Sequence, residues 1–168
     1  NPPEHFKFTT ENGTATITKY IGPGGVVMIP KVIDGCPVVN IDTSAFRDRD
    51  DITNITIPGT VKNIREFAFW GCDGLTTLEI PDGLACINLW WGAFGACGRL
   101  NTVTLPARRT MLLAPFVSCY QLTSVKVHPD NPNYRSTAGV VFSKDISTLD
   151  CYPGGKEGSY EIPDGVVS

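Results

Sequence analysis

The stretch IPGTVKNIREFAFWGCDGL, residues 57–75, decides the fold of this 168-residue chain, because its pattern returns along the sequence. Its Ala-Phe pair is followed by a Cys three residues after the Phe and by a Leu three residues later. The same arrangement, in full or in part, surrounds four phenylalanines that lie 23, 25 and 22 residues apart: Phe46, Phe69, Phe94 and Phe116. A fixed period of this length indicates a stack of units, each of which completes the core of its neighbour.

Each unit combines two local patterns. Within residues 52–58, 75–81, 100–106 and 122–127, apolar residues alternate with polar ones at four equivalent pairs, which predicts a short strand with one buried face. The pairs are Ile55/Ile57, Leu78/Ile80, Val103/Leu105 and Val125/Val127. The Ala-Phe-x-x-Cys-x-x-Leu segment has apolar residues at every third position, which predicts one or two turns of α-helix or 3-10 helix. The sequence therefore predicts an α/β solenoid with short parallel strands on its concave face and short helical turns on its convex face.

The chain is predicted to form one repeat domain with distinct flanks. Residues 1–41 contain Asn12-Gly13 between alternating segments, a strong hairpin signal, and are expected to form an N-terminal β cap. Residues 42–127 hold the repeats, and residues 128–161 are expected to form a β-rich insert of two or three strands. Residues 162–168 are expected to begin a truncated repeat of a longer array, which would leave a poorly protected C-terminal edge.

Charge and hydropathy argue against two classes of partner. Fourteen Lys and Arg against seventeen Asp and Glu give a net charge of −3 and a pI near 5.3, without a basic stripe that would attract nucleic acid. No apolar run approaches the roughly 20 residues of a membrane-spanning helix, so we expect no membrane insertion within this segment. We expect a monomer that needs no cofactor.

Three of the six cysteines recur at one repeat position, which predicts free thiols in the core and not disulfides. They are Cys72, Cys97 and Cys119. The other three, Cys36, Cys86 and Cys151, fall outside this column, and a disulfide would involve one of these. No C-x-x-C motif occurs and the only histidines are His5 and His128, so we expect no metal site.

The spacing in residues 57–75 is I-P-x-x-V-x-x-I-x-x-x-A-F-x-x-C-x-x-L, and three to four units follow it between about Ile29 and Val127. This unit resembles the BspA-like class of leucine-rich repeats. The lead-in before Ile41 and the insert that begins at Asn131 are similar to segments of such bacterial proteins. The resemblance implies a bacterial cell-surface or secreted protein that adheres to host extracellular matrix or to other cells.

The outward residues of the predicted strands form a small, polar row that is a candidate binding surface. The alternative is an ordinary solvated sheet face, which has the same composition. The candidate contact residues in this row are Thr77, Glu79, Thr102, Thr104, Ser124 and Lys126, with Asn54 and Thr56 on the preceding strand.

Departures from the repeat supply four further candidates. The third unit carries two extra residues, which the pattern places around Trp90 and Trp91, and paired Trp side chains in such a loop can anchor a partner. The alternative is that one Trp folds back over the core beside Trp70.

In the fourth unit Arg109 takes the position of Val61 and Leu84. Because a lone Arg is costly in a core, we expect a backbone shift that carries Arg108 and Arg109 into solvent, where they can meet an acidic partner.

No catalytic constellation is present. The two histidines have no nucleophile placed beside them by a motif, and the carboxylates around Asp50 lie in a polar loop with arginines. We therefore predict a non-enzymatic protein-interaction or adhesion module. Two alternatives remain: repeats that act as a structural spacer for another domain, and an engineered binder on this scaffold.

Overall fold

β-Strands, not helices, make up nearly all of the regular structure in the computed structural model, which describes residues 1–83 and 86–167. The described part of the chain winds into a β-solenoid of about five turns and contains one short 3-10 helix, Pro3–His5. The strands are β1 (Phe6–Glu11), β2 (Thr14–Tyr20), β3 (Gly25–Met28), β4 (Val32–Ile33), β5 (Cys36–Ile41), β6 (Ile52–Thr56), β7 (Asn63–Ile64), β8 (Thr77–Glu79), β9 (Ile87–Leu89), β10 (Thr102–Leu105), β11 (Thr110–Leu112), β12 (Ser124–Val127), β13 (Tyr134–Thr137), β14 (Val140–Ser143) and β15 (Leu149–Cys151).

Two stacks of parallel strands run along the repeats, where the sequence pattern predicted one. Sheet I consists of β8, β10 and β12, and β3 and β6 pair separately before it. Sheet II has the order β1-β2-β5-β7-β9-β11, with β4 on β5, and its pairs from β2 onward along this order are parallel. The strands of sheet II are only two or three residues long in the repeats, so they carry too little alternation to be recognised in the sequence.

The four phenylalanines form a stacked column through the core. Phe46 and Phe69 have ring centroids 4.6 Å apart, Phe69 and Phe94 4.9 Å, and Phe94 and Phe116 6.2 Å. The N-terminal hairpin of β1 and β2 closes this column, because Tyr20 stacks on Phe46 at 5.2 Å. The hairpin supplies a large aromatic surface to the first repeat, as a solenoid cap must.

The predicted helical turns on the convex side are wrong. Between residues 67 and 72 the backbone amides alternate between two acceptors: Phe67, Phe69 and Gly71 donate to carbonyls of the next coil at 2.7–3.3 Å, and Ala68, Trp70 and Cys72 donate to their own coil three residues back at 3.1–3.3 Å. An α-helix would direct every amide to its own chain. The backbone at Phe67 and Gly71 has φ of 58° and 70°, in the left-handed region, which breaks any helix into separate turns.

The insert covers the last repeat strands of both sheets, β11 and β12. In sheet II the amide of Thr110 donates to Asn133 Oδ1 and that of Leu112 to the Tyr134 hydroxyl, both at 3.2 Å. In sheet I the Val127 amide donates to Ser136 Oγ at 3.0 Å. Side chains of the insert therefore satisfy donors that would otherwise pair with a further strand.

Asn131 joins the insert to the last repeat. Its side chain is fully buried. Its Nδ2 lies 2.8–3.1 Å from three acceptors, namely the carbonyls of Pro106 and Arg108 and the hydroxyl of Thr110. Its Oδ1 accepts the amides of Asn133 and Tyr134, each at 3.0 Å. The side chain thus bonds two separate segments, and its loss would leave the buried acceptors among these groups without this donor.

Candidate functional site

The cysteine column is free and buried, as the repeat position predicted. Cys72, Cys97 and Cys119 donate their thiols to the carbonyls of the phenylalanine one repeat earlier, with Sγ–O distances of 3.0–3.2 Å. All six cysteines are free thiols in this structure, including the three outside the column. Burial raises the pKa of Cys72 to about 12 and that of Cys151 to about 11, so neither forms the reactive thiolate at neutral pH.

Cys86 is the exposed cysteine, and native thiol labelling should be confined largely to it. We expect one thiol per molecule to react quickly with a maleimide at pH 7, because the column cysteines are buried. Intact-mass spectrometry measures the number of labels. Cys86→Ser should remove the fast label while five thiols still react in denaturant. Rapid native labelling of Cys72, Cys97 or Cys119 would contradict the buried column.

The six predicted contact residues of sheet I do share one outward face. The parallel register aligns Thr77 with Thr102 and Thr102 with Ser124, and it aligns Glu79 with Thr104 and Thr104 with Lys126. The residues between them, Leu78, Val103 and Val125, are buried. Because adjacent strands lie about 4.8 Å apart, Glu79 and Lys126 are separated by about 10 Å with Thr104 between them. This surface can hydrogen-bond through its hydroxyls but has no aromatic side chain in its six positions.

The Trp pair does not lie in the inserted residues. Asn88 pairs with Asn63 and Leu89 with Ile64, so Trp90 and Trp91 take the positions of Arg65 and Glu66. The two extra residues lie earlier, between Glu79 and Ile87. Glu79 pairs with Thr104 and Ile87 with Thr110, and the first residue of each pair belongs to a segment that is two residues longer than the segment between Thr104 and Thr110. That segment includes Leu84 and Ala85, which are outside the described residues. The predicted place of the insertion is therefore wrong.

Trp91 packs on neighbouring aromatic side chains. Its ring lies 5.2 Å from that of Phe67 and stacks at 6.1 Å on Trp70. Arg47 adds a cation over the Phe67 ring at 5.7 Å. Packing beside Trp70 was the alternative to a contact role, and the geometry of Trp91 matches it, although the side chain remains 47% exposed.

Trp90 instead belongs to an exposed apolar patch on sheet II. Because Leu89 pairs with Leu112, Trp90 lies beside Leu113, and the Leu113 amide donates to the Leu89 carbonyl at 2.9 Å. Met111 is on the same side of β11 as Leu113, since side chains two residues apart in a strand share a face. We call Trp90, Met111 and Leu113 the Trp90 patch; they are 37%, 46% and 40% exposed.

The preceding coils carry polar side chains at the positions that correspond to the Trp90 patch. Asn40, Asn63 and Asn88 form a ladder, in which Asn88 Nδ2 donates to Asn63 Oδ1 and Asn63 Nδ2 to Asn40 Oδ1, each at 2.8 Å. Met111 pairs with Asn88 and so takes the next position of this ladder. Met111 and Leu113 were missed in the sequence, although the alternation of Arg109, Met111 and Leu113 around the buried Thr110 carries the signal.

The two arginines have opposite environments. Arg108 is buried, with 9% of its surface exposed, and its Nη1 donates to the Val61 carbonyl at 3.2 Å. Burial lowers the pKa of Arg108, and the charge of Asp82 opposes that effect. The expectation that Arg108 reaches solvent is therefore wrong, because the carbonyls of an earlier coil hold its guanidinium beneath the surface. Arg109 is exposed on the same face of β11 as Met111.

Within residues 1–83 and 86–167, no three His, Cys, Asp or Glu side chains are grouped so that they could hold a metal ion. The same residues contain no helix of the length and apolar character that a membrane crossing requires.

Comparison with known proteins adds a family match and structural neighbours. The model for the BspA type leucine-rich repeat region matches residues 38–148 in six copies. A leucine-rich repeat protein of T. pallidum is 27% identical, with a TM-score of 0.58, covering 74% of this chain and 70% of that one. One from Bacteroides capillosus has the same identity and TM-score and covers 74% of this chain and 94% of that one.

A leucine-rich repeat protein from Eubacterium ventriosum is 17% identical with a TM-score of 0.57, covers 94% of this chain and 51% of that one, and shows a likeness of fold alone. No curated protein matches the chain.

Proposed function

Because this chain belongs to the BspA-type leucine-rich repeat family, we propose that it is a non-enzymatic protein-binding module that uses the Trp90 patch and Arg109 as its contact site. Repeat solenoids offer extended surfaces for other proteins, and family membership favours this role over catalysis. We extend the proposal, from family membership, to a cell-surface or secreted location and a partner in host extracellular matrix or on another cell.

The single observation that carries the proposal is the change in surface chemistry at β9 and β11. On the coil before them, Arg65 Nη1 bonds Asp42 Oδ1 at 3.0 Å, so that position is polar and paired. On the last two coils the same column holds Trp90 and Leu113. Trp is enriched among the residues that contribute most to protein interfaces, and contiguous exposed apolar side chains mark interaction sites.

Arg109 gives the site a charge. It lies on the same outward side as Met111 and Leu113, and it forms no ion pair within residues 1–83 and 86–167. A guanidinium beside an apolar anchor suits a partner that presents a hydrophobic pocket for the indole with a carboxylate at its rim. Trp91 and Arg108 have structural environments and are not assigned to this contact. The hydroxyl-rich face of sheet I remains a separate, polar candidate surface.

Trp90→Ala should weaken partner capture by roughly 30-fold or more, the loss expected for an interface hot spot. The measurement is a pull-down from host-matrix and bacterial-surface extracts, followed by titration of the captured protein. Thermal unfolding should stay close to that of the unchanged protein, since Trp90 is 37% exposed and stacks on no other ring among the described residues.

Tyr120→Ala is the matched control, because Tyr120 is an aromatic residue that is 75% exposed outside the Trp90 patch. It should leave capture unchanged. Capture that survives Trp90→Ala would overturn the proposed site. If the unchanged protein captures nothing from either extract, the spacer hypothesis replaces the binding one.

A further inference from the structure

A cationic pocket lies where the last strand of sheet I meets the insert. It is lined by Val127, His128, Pro129, Arg135, Ser136 and Lys144. The basic residues come from three separate segments: the end of β12, strand β13 and the turn after β14. None of these lining residues carries a carboxylate, in a chain whose net charge is −3. The pocket is therefore a local reversal of the overall charge.

The polar groups around the pocket are oriented by bonds to the surrounding backbone. The Lys144 ammonium donates to the Pro129 carbonyl at 2.7 Å, which holds it at the wall and leaves two of its hydrogens for another acceptor. Ser136 Oγ accepts the Val127 amide at 3.0 Å, so its hydroxyl hydrogen is available. His128 Nδ1 accepts the Asp130 amide at 3.2 Å, which makes Nε2 the donor of the neutral ring.

Arg135 completes the donor set. It is exposed on β13, and its side chain makes no hydrogen bond or ion pair with the part of the chain that the structure describes. The Asp130 side chain, which is 84% exposed, places its Oδ2 3.8 Å from His128 Nδ1 at the side of the pocket. Arg135 and Lys144 both line the pocket with positive charge, and an anion placed there would gain from both.

We propose that this pocket binds the carboxylate of an acidic segment on a protein partner. Arg135 supplies the forked guanidinium that matches a carboxylate, and Lys144 and Ser136 supply further donors. Val127 and Pro129 give the wall apolar surface, which suits the methylene groups of a Glu side chain. The pocket adjoins the polar face of sheet I through β12, which places Lys126 one residue before Val127.

The proposal rests on the protein-binding role, but its residues are distinct from those of the Trp90 patch. The two sites can therefore fail separately. If Trp90→Ala loses partner capture and still binds an acidic peptide through Arg135, both the Trp90 patch and the pocket keep their proposed roles. If capture survives Trp90→Ala, the Trp90 patch loses its role and peptide binding alone decides the role of the pocket.

The test is a calorimetric titration of the full chain with poly-L-glutamate, with heparin and sodium acetate as separate arms. Arg135→Gln should weaken poly-L-glutamate binding about tenfold, the loss of one charge-assisted contact. Arg99→Gln is the matched control, since Arg99 is an exposed arginine outside the pocket, and it should bind as the unchanged protein does. Raising the salt from about 50 to about 500 mM should weaken binding through screening.

Lys144→Gln provides a second variant at the same pocket, with circular dichroism to check the fold because Lys144 also bonds Pro129. It too should weaken poly-L-glutamate binding while Arg99→Gln does not. Equal affinity of Arg135→Gln and Arg99→Gln would overturn the proposal. So would Arg135-dependent binding of heparin without binding of poly-L-glutamate, which would assign the pocket to a sulfated polysaccharide.

Discussion

Phe69→Ala is expected to lower the free energy of unfolding by about 3–5 kcal/mol, the range for truncating a fully buried aromatic side chain. Phe69 has no exposed surface and stacks between Phe46 at 4.6 Å and Phe94 at 4.9 Å, so the cavity would open on two neighbouring coils. Since domains of this kind have stabilities of about 5–15 kcal/mol, much of the total would be lost. Urea unfolding followed by circular dichroism measures the change.

Phe116→Ala tests the same chemistry at the end of the column. Phe116 retains 8% exposure, and among the described residues its ring stacks on Phe94 alone, at 6.2 Å. We expect a smaller loss there than at Phe69, because fewer packed atoms lose a partner. Equal losses at the two positions, or a larger one at Phe116, would show that stacking within the column does not set its energetics.

Asn131→Asp is expected to destabilise the protein by about 3–5 kcal/mol at neutral pH, the loss typical of an uncompensated buried charge. The substitution keeps the size of the side chain but replaces the Nδ2 donor with an oxygen that would face the carbonyls of Pro106 and Arg108 and the Thr110 hydroxyl. The two amides that now bond Oδ1 would still find an acceptor. Thermal unfolding monitored between about pH 4 and pH 7 measures the effect.

The pH dependence has a definite sign. Burial among acceptors would raise the pKa of the new carboxyl group above its value in the unfolded chain. The unfolded state then releases its proton first as the pH rises, so the variant should lose stability toward neutral pH and regain part of it in acid. Asn133→Asp is the matched control, because Asn133 uses only its Oδ1, to accept the Thr110 amide, and an Asp retains that acceptor. Comparable losses of stability in Asn131→Asp and Asn133→Asp would contradict the prediction that the buried Nδ2 donor of Asn131 is needed.

The repeat spacing was enough to predict a leucine-rich repeat solenoid of the BspA type, and the family match confirms this. A pattern of apolar residues at every third position does not distinguish a helical turn from the series of single turns found here. Both structures place those residues on one side of the chain. Phe67 and Ala96 adopt positive φ without being glycine, so the sequence carries no sign of the left-handed backbone that excludes a helix.

The contact residues were less accessible to sequence reasoning than the fold. The polar row of sheet I followed from alternation alone and lies where expected. Arg108 was placed in solvent because a lone Arg at the core position of residue 109 would be costly, which suggested a backbone shift that exposes both arginines. The structure instead buries Arg108, whose Nη1 donates to the carbonyls of Gly59 and Val61 on an earlier coil. Asn131 gave no signal of burial, since a polar residue between prolines is typical of an exposed loop.

The asparagine ladder of sheet II has a direction. Each side-chain amide donates toward the N-terminus, from Asn88 to Asn63, from Asn63 to Asn40, and finally from Asn40 to Thr16 Oγ1. The side-chain dipoles therefore add along the stack and strengthen one another, as in any chain of hydrogen bonds. Met111 lies opposite the last member and has no donor to offer Asn88 Oδ1. The polarised series thus ends with an acceptor at the border of the Trp90 patch, so an approaching partner meets a hydrogen-bond acceptor and an apolar surface side by side.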